Sequence, residues 1–217
     1  MRPGSALAGV LVAHLAALAT DSWWAIALTK AALMPLLALA TWRALGPTPA
    51  AGWFAAVGLS WLGDLLLLPP YGGGAASGRP LFLAGLAAFL LAHVAYVVRA
   101  GQVRGGRWGL SPKRLAAGLG LVALVQAAAG AWAVPLGMRL AVAAYSLAIA
   151  AMLLQAWSLA AERSGYRDAA LGATLFVLSD ALIGASVFGP VDAGAWATRA
   201  AIMTLYVTGQ WRLRALA

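Results

Sequence analysis

The chain has 217 residues, of which 63% are hydrophobic and only 10% are charged, and it contains no cysteine. Soluble domains are nearer half apolar and a quarter charged, so much of the apolar surface of this chain must face lipid. The absence of cysteine excludes disulfides, thiolate nucleophiles and cysteine-ligated metals. The length suits one domain, and we expect a single membrane domain over residues 1–217.

The net charge of +9 would favour nucleic-acid binding in a soluble protein. Here the basic residues lie in short loops between apolar segments, where they orient helices and meet anionic lipid. We therefore expect the basic residues to contact the lipid bilayer, and we expect the protein to bind no nucleic acid. The oligomeric state is left open by the sequence.

Eight apolar segments approach the roughly 20 residues that a membrane-spanning helix needs. They predict an all-α bundle with about eight transmembrane helices. The predicted spans are 5–20, 22–43, 51–69, 80–98, 114–132, 136–160, 168–189 and 194–211. Asp21-Ser22 can cap the second helix, and stretches rich in glycine and proline at 46–49, 69–74 and 189–190 mark further breaks.

The first segment allows two interpretations. It follows Arg2 and ends in Ala17-Leu18-Ala19, which resembles a signal-peptidase site. Cleavage there would leave seven helices. We expect the segment to be retained, because only one basic side chain precedes its apolar stretch.

Basic residues are distributed unevenly between the two ends of the predicted helices. One end carries eleven of them, which are Arg2, Arg43, Arg99, Arg104, Arg107, Lys113, Arg114, Arg163, Arg167, Arg212 and Arg214. The other end carries only Arg79 and Arg139. Cytoplasmic loops are enriched in Lys and Arg, so this bias places both termini in the cytoplasm. We expect a multi-pass protein of a bacterial inner or plasma membrane.

Five ionisable side chains fall inside the predicted spans, namely Lys30, Asp64, His93, Asp180 and Arg199. Each costs about 2.5–3.5 kcal/mol at a helix centre, so such groups usually face inward and mark function. The two aspartates and the two cations can lie at overlapping depths, which predicts a buried polar cavity in the central-to-outer half of the bundle. His14 is a weaker sixth case, for which we expect a structural role.

The sequence around Lys30 and Asp64 indicates what each of these side chains contacts. Lys30 lies about eight residues from the helix end, too far to snorkel easily, so we expect an anionic partner inside the bundle. Asp64 shares a helix face with Ser60, and Gly63 allows a neighbouring helix to approach closely. A purely structural pairing of Asp64 with Lys30 or Arg199 remains the alternative.

Asp180 has no cation within one turn of its own helix, so its partner comes from another helix or the carboxyl is protonated. His93 and Tyr96 share a face of the fourth helix, where the histidine has either a chemical role or a hydrogen bond between helices. In the last helix Arg199, Met203, Tyr206 and Gln210 form one stripe, which faces a polar interior. With two histidines and no cysteine, we expect no metal site.

These residues belong to a series of five short motifs. The series is Thr29-Lys30-x-x-x-Met34-Pro35-Leu36-Leu37, Gly58-Leu59-Ser60-x-x-Gly63-Asp64, Phe82-x-x-Gly85-Leu86-x-x-Phe89-x-x-Ala92-His93-x-x-Tyr96, Gly172-Ala173-x-Leu175-Phe176-x-x-Ser179-Asp180 and Tyr206-x-x-x-Gln210. In this order the motifs resemble those of the YhhN-like membrane proteins, the lysoplasmalogenases. Ala31 departs from the pattern, since many members have a proline after the lysine; we expect this to change the helix more than the chemistry.

The resemblance implies hydrolysis of the vinyl-ether bond of lysoplasmalogens to a fatty aldehyde and glycerophosphoethanolamine or glycerophosphocholine, with no metal or organic cofactor. This reaction needs a proton donor and a group that stabilises an oxocarbenium-like ion and activates water, as paired carboxylates do in glycosidases. Asp64 and Asp180 are the candidate catalytic pair, with the acid unassigned. Lys30 or Arg199 would hold the substrate phosphate. The supporting residues would be Ser60, His93, Tyr96, Ser179, Tyr206 and Gln210.

Two other functions fit the same residues. A small-molecule or lipid transporter would use the charged cavity without forming a product, and Pro35 and Pro135 could break helices for that purpose. A membrane assembly or regulatory protein would instead have closed ion pairs around no cavity.

Overall fold

The computed structural model describes residues 3–46, 50–68, 80–106 and 111–217. Within these ranges the chain forms eight α-helices and no strand. The helices are α1 Pro3–Thr20, α2 Trp23–Leu45, α3 Ala51–Leu66, α4 Pro80–Val103, α5 Pro112–Ala131, α6 Leu136–Glu162, α7 Arg167–Val187 and α8 Trp196–Leu213. The all-α prediction is confirmed, and each predicted segment matches one helix to within a few residues. The predicted breaks at 47–49 and 69–74 lie outside the described residues, as do Arg2, Arg79 and Arg107.

Five of the described helices are long and apolar enough to cross a membrane, namely α2, α4, α5, α6 and α7 with the turn before it. Helices α1 and α3 are apolar but shorter. Large apolar side chains also remain on the surface, including Trp24 at 71% exposure and Leu124 at 67% exposure. Such surface is stable only against lipid, so the chain is a membrane protein.

The bundle is built from neighbouring helices that pack in pairs. Helix α3 packs on α4, α6 packs on α4, α5 and α7, α7 packs on α8, and α1 packs on α2 and α8. The centre contains the fully buried side chains of Leu33, Trp53, Tyr96, Leu159 and Phe176. Helix α5 stands apart, because α6 is the neighbour against which it mainly packs.

Helices α7 and α8 cross at a pair of glycines. A Cβ atom at Gly172 would lie 2.7 Å from the carbonyl oxygen of Gly209, and a Cβ at Gly209 would lie 2.9 Å from the oxygen of Gly172. Only glycine permits this backbone contact, which is a common way for helices to associate in lipid. The contact fixes α8 against α7 next to Gln210, one of the polar residues of α8.

Helix α2 continues without a break through Pro35. A proline has no N–H to donate, so the carbonyl oxygen four residues earlier, that of Ala31, lacks its helical partner. The indole Nε1 of Trp61 in α3 donates to this oxygen at 2.8 Å. Pro135 precedes α6 as its N-cap residue. Neither proline therefore breaks a helix, which removes the support that they gave to a transporter.

The two ends of the bundle differ in charge. At the end that holds the C-terminus, Arg104 pairs with Glu162 and donates to Gln155, and Arg212 pairs with Asp168. Arg99 donates to the carbonyl oxygen of Leu216 at the same end. The opposite end contains Arg139, which donates to the carbonyl oxygen of Val134, and Arg199.

The predicted capping of α2 by Asp21-Ser22 is wrong. Ser22 occupies the N-cap position without a side-chain hydrogen bond to the helix. Asp21 has a positive φ of 52° and its carboxylate accepts a hydrogen bond from Arg199 at 2.8 Å. This carboxylate therefore contacts the arginine of α8 rather than the first turn of α2.

Candidate active site

The first carboxylate of the site belongs to Asp64, in the last turn of α3. One oxygen, Oδ1, lies 3.4 Å from Nζ of Lys30 in α2, and the other, Oδ2, accepts from the hydroxyl of Tyr206 in α8 at 2.7 Å. Asp64 is only 3% exposed. The cation and the hydroxyl together satisfy a charge that burial alone would make costly. Gly63 brings α4 close at this level, since a Cβ there would lie 2.5 Å from Phe89 Cδ2.

A second polar contact lies one turn away from Asp64 on the same pair of helices. Gln210 of α8 donates through Nε2 to Ser60 Oγ of α3 at 2.9 Å, and its Oε1 accepts from the hydroxyl of Tyr96 in α4. All three side chains are buried. Tyr206 and Gln210 are four residues apart, as are Ser60 and Asp64, so the two helices meet through two matched polar contacts.

The second carboxylate, Asp180, lies in the middle of α7. Its Oδ2 accepts from the hydroxyl of Tyr145 in α6 at 2.5 Å. The Nε2 atom of His93 lies 3.8 Å from the same oxygen, which is longer than a hydrogen bond. Among the described residues, no lysine or arginine forms an ion pair with Asp180. Its surroundings are therefore less polar than those of Asp64.

Three aromatic side chains stand between the two carboxylates. Phe89, Phe176 and Tyr206 meet edge to face, with ring centroids 5.3 to 6.3 Å apart. Phe176 also contacts the ring of His93 at 4.8 Å. Tyr206 donates to Asp64, and His93 lies beside Asp180. The aromatic cluster therefore lies between the polar group around Asp64 and the polar group around Asp180.

A cavity of about 300 Å³ lies between α4, α5, α6 and α7. Asp180 and Tyr145 are at its wall, whereas Asp64 is not. The other lining residues are nearly all apolar, and they are Leu67, Phe82, Leu86, Phe89, Leu121, Leu124, Val125, Ala128, Ala129, Trp132, Val134, Val142, Ser146, Ile149, Val177, Ala181, Ile183, Gly184, Val187 and Phe188. The arrangement offers a carboxyl group and a phenol to an otherwise hydrocarbon-like space.

The model of the YhhN family matches residues 25–216 of the chain. This match covers nearly the whole chain and all the residues that contribute to the two carboxylate groups and the cavity. The chain belongs to the YhhN family. No curated protein and no solved structure matches it.

The geometry of this YhhN chain brings together most of the expected site residues. Lys30, Asp64, Ser60, Tyr206, Gln210 and Tyr96 form one connected group, and Asp180 and His93 form the neighbouring one. Lys30 has the anionic partner that its depth predicted, and that partner is Asp64. The alternative of closed ion pairs around no cavity does not describe these residues. Asp180 lies at the wall of a cavity.

Two of the expected site residues do not join either group. Arg199 lies in the first turn of α8, where it pairs with Asp21 and donates to the carbonyl oxygen of Leu18. The prediction that Arg199 converges with Lys30 and the aspartates is wrong, because a guanidinium is satisfied more cheaply by polar groups at a helix end than inside the bundle. Ser179 donates to the carbonyl oxygen of Ile202 and so joins α7 to α8.

Tyr145 is the functional candidate that sequence reasoning missed. It lies in α6, where no motif was recognised, and its phenol is the nearest hydrogen-bond partner of Asp180. The available signal was that Tyr145 is the one tyrosine of this predicted span and lies beside Ser146. His14 has the structural role expected of it, since its Nδ1 pairs with Thr29 Oγ1 at 2.8 Å and joins α1 to α2.

The described part of this YhhN chain contains no group of three His, Asp or Glu side chains that could hold a metal ion. The chemistry available in the described cavity is that of a carboxyl group, a phenol and a neighbouring imidazole. These groups can donate, accept and position protons in a space from which apolar side chains keep bulk water.

Proposed function

We propose that this protein hydrolyses the vinyl-ether bond of lysoplasmalogens, releasing a fatty aldehyde and glycerophosphoethanolamine or glycerophosphocholine. The observation that carries the proposal is the position of Asp180, at the wall of an apolar cavity that suits a hydrocarbon chain. A 1-alkenyl lysophospholipid combines such a chain with an acid-labile bond. Membership of the YhhN family is compatible with a hydrolase of this kind.

Asp180 is the better candidate for the proton donor. Asp64 has the ammonium group of Lys30 beside it, which favours the ionised carboxylate, whereas Asp180 has only a phenol and an imidazole nearby. In the proposed reaction the proton of Asp180 goes to the β-carbon of the vinyl ether. The α-carbon and the ether oxygen then share the positive charge of an oxocarbenium ion, which the ionised Asp180 at the cavity wall and the more distant charge of Asp64 stabilise.

Water completes the reaction. It adds to the α-carbon and loses one proton to a carboxylate, which gives a hemiacetal. The hemiacetal breaks its bond to the glycerol oxygen, which takes up a proton as the aldehyde forms. One water is consumed, no electrons are exchanged with an outside group, and both carboxyl groups return to their starting state.

The proposal includes a membrane arrangement. We propose eight membrane crossings by one domain, with both termini on the cytoplasmic side of a cell membrane. The described basic residues support this orientation, since nine of the eleven counted at the cytoplasmic end fall in the described ranges and only Arg139 and Arg199 lie at the opposite end. The retention of α1 remains part of this proposal.

The test is aldehyde release from a 1-alkenyl lysophospholipid by the purified full chain in detergent. We expect Asp180→Asn to lower release by about a hundredfold or more, Asp64→Asn to lower it strongly as well, and Asp192→Asn to leave it unchanged. Asp192 provides a matched control, because its carboxylate is exposed in the α7–α8 connection and accepts only from the backbone N–H of Gly194 among the described residues. If the wild type is active and both Asp180→Asn and Asp64→Asn keep its full rate, the proposed mechanism is wrong. Ion or lipid flux without aldehyde would favour a transporter.

A further inference from the structure

The wall of the cavity beyond Asp180 is built by one face of α7. Val177, Asp180, Gly184 and Val187 follow one another at spacings of three or four residues, and all line the cavity. This spacing keeps them on one face of the helix. From Asp180 to Val187 the wall extends about 10 Å along the helix axis.

Gly184 is the unusual member of this face. It lies within a helix, where glycine is about 1 kcal/mol less favourable than alanine. No other helix requires it, because a Cβ atom built at Gly184 meets no atom within 4 Å. This contrasts with Gly63 and Gly172, where a Cβ would collide with a neighbouring helix. The missing side chain at Gly184 therefore leaves space in the cavity and serves no helix contact.

The cavity is also bordered by exposed side chains of α5. Leu124 lines it while remaining 67% exposed, and α5 packs mainly against α6. The space beside Gly184 is therefore next to the surface that faces lipid. A chain that is already in the bilayer can enter there without crossing water.

We infer that this cavity binds the single hydrocarbon chain of the lysolipid substrate, and that Gly184 sets the chain length that fits. The inference rests on the proposed function for the identity of the headgroup and of the bond next to Asp180. The chain runs from Asp180 past Gly184 toward Val187 and Phe188. Residues 180 and 184 are separated by about 6 Å along the helix axis. Carbon atoms of the substrate chain that lie farther than this from the reacting bond must therefore pass Gly184.

The experiment measures binding, so that it does not depend on turnover. The probes are radiolabelled saturated 1-alkyl lysophosphocholines with a hexyl or a hexadecyl chain, which lack the carbon–carbon double bond and cannot react. Binding to the full chain in lipid nanodiscs is compared for wild type, Gly184→Leu and Gly184→Ala. Gly120→Leu is the matched control, since Gly120 is also a helix glycine with free space around it but lies outside the cavity.

We expect Gly184→Leu to weaken hexadecyl binding by about tenfold or more, because several methylenes lose their buried site. Hexyl binding stays within about twofold of wild type, since so short a chain ends near residue 184. Gly184→Ala weakens hexadecyl binding in the same way but by a smaller factor. Because alanine stabilises a helix relative to glycine, this variant still tests the inference if Gly184→Leu does not fold. Gly120→Leu behaves as wild type.

Unchanged hexadecyl binding in both Gly184 variants would overturn the inference, as would an equal loss for both probes. An equal loss would mean that residue 184 affects the fold or an ordinary bilayer lipid rather than a length-selective site. If the selective loss is found but no aldehyde is released from alkenyl lipids, the chain-binding site stands and the proposed hydrolysis fails. The two ideas are thus separable.

Discussion

The two aspartates of the candidate site are held in different ways. Asp64 is enclosed by a lysine, a tyrosine and close-packed helices, and it does not reach the cavity. Asp180 has a tyrosine too, but it borders a cavity and has no cationic partner among the described residues. The first arrangement stabilises a charge, and the second leaves a carboxyl group available to a ligand. The same side chain is thus placed in two different environments, because the neighbours differ.

The sharpest test of this difference is Asp180→Asn. The substitution keeps the shape of the side chain but removes the acid, so we expect aldehyde release to fall by about a hundredfold to ten-thousandfold. The free energy of unfolding should change little, since no cation is left unpaired. Rates and detergent-denaturant unfolding are measured on the same preparation. A large loss of stability with this variant would contradict the comparison.

Lys30→Met should affect stability more than any other change at the Asp64 end. It leaves a buried carboxylate without its cation, for which we expect a loss of about 3–5 kcal/mol in the free energy of unfolding. The double variant Lys30→Met with Asp64→Asn should recover most of that loss. Unfolding titrations of the two single variants and the double variant check this. A single variant as stable as wild type would show that Asp64 does not depend on Lys30.

The two tyrosines provide a matched pair. Tyr206→Phe removes a hydrogen bond to an ion-paired carboxylate, so we expect a loss of about 1.5–3 kcal/mol in stability. Tyr145→Phe removes the partner of the proposed acid, so we expect about a tenfold loss of rate and a smaller loss of stability. Both quantities are measured for both variants. If the two profiles are the same, the roles assigned to the two aspartates are not distinct.

The smallest expected effect concerns the bracing of α2 against α3. Trp61→Phe leaves the carbonyl oxygen of Ala31 without a partner, because Pro35 cannot supply one. We expect a loss of about 1–3 kcal/mol in stability, at the lower end if lipid headgroups or water reach the oxygen. Trp24→Phe is the control, since Trp24 is a surface tryptophan on the same helix as Pro35. Equal stability of the two variants would mean that the Trp61 hydrogen bond contributes nothing.

Much of the site was predictable because buried charge is rare in lipid. Lys30, Asp64, His93 and Asp180 stood out in apolar spans, and the structure places them in two neighbouring groups, Lys30 with Asp64 and His93 with Asp180. Spacing alone also paired Ser60 with Asp64 and Tyr206 with Gln210 on common faces. Position within a predicted span is a weaker guide than spacing, since Arg199 falls inside its predicted span and yet pairs with Asp21 at the helix end.

The sequence by itself determined that this is an all-helical membrane protein, where its helices begin and end to within a few residues, and that most of the polar residues in its spans face inward, because hydrophobic length and periodicity are local properties. Only the tertiary structure decided that Lys30 neutralises Asp64, that Tyr145 reaches Asp180, and that Gly184 leaves open space. The pairs Lys30–Asp64 and Tyr145–Asp180 join residues that are 34 and 35 positions apart in the sequence. The space beside Gly184 is part of a cavity between four helices. The pairs and the cavity depend on how the helices are rotated and paired, which no single segment specifies.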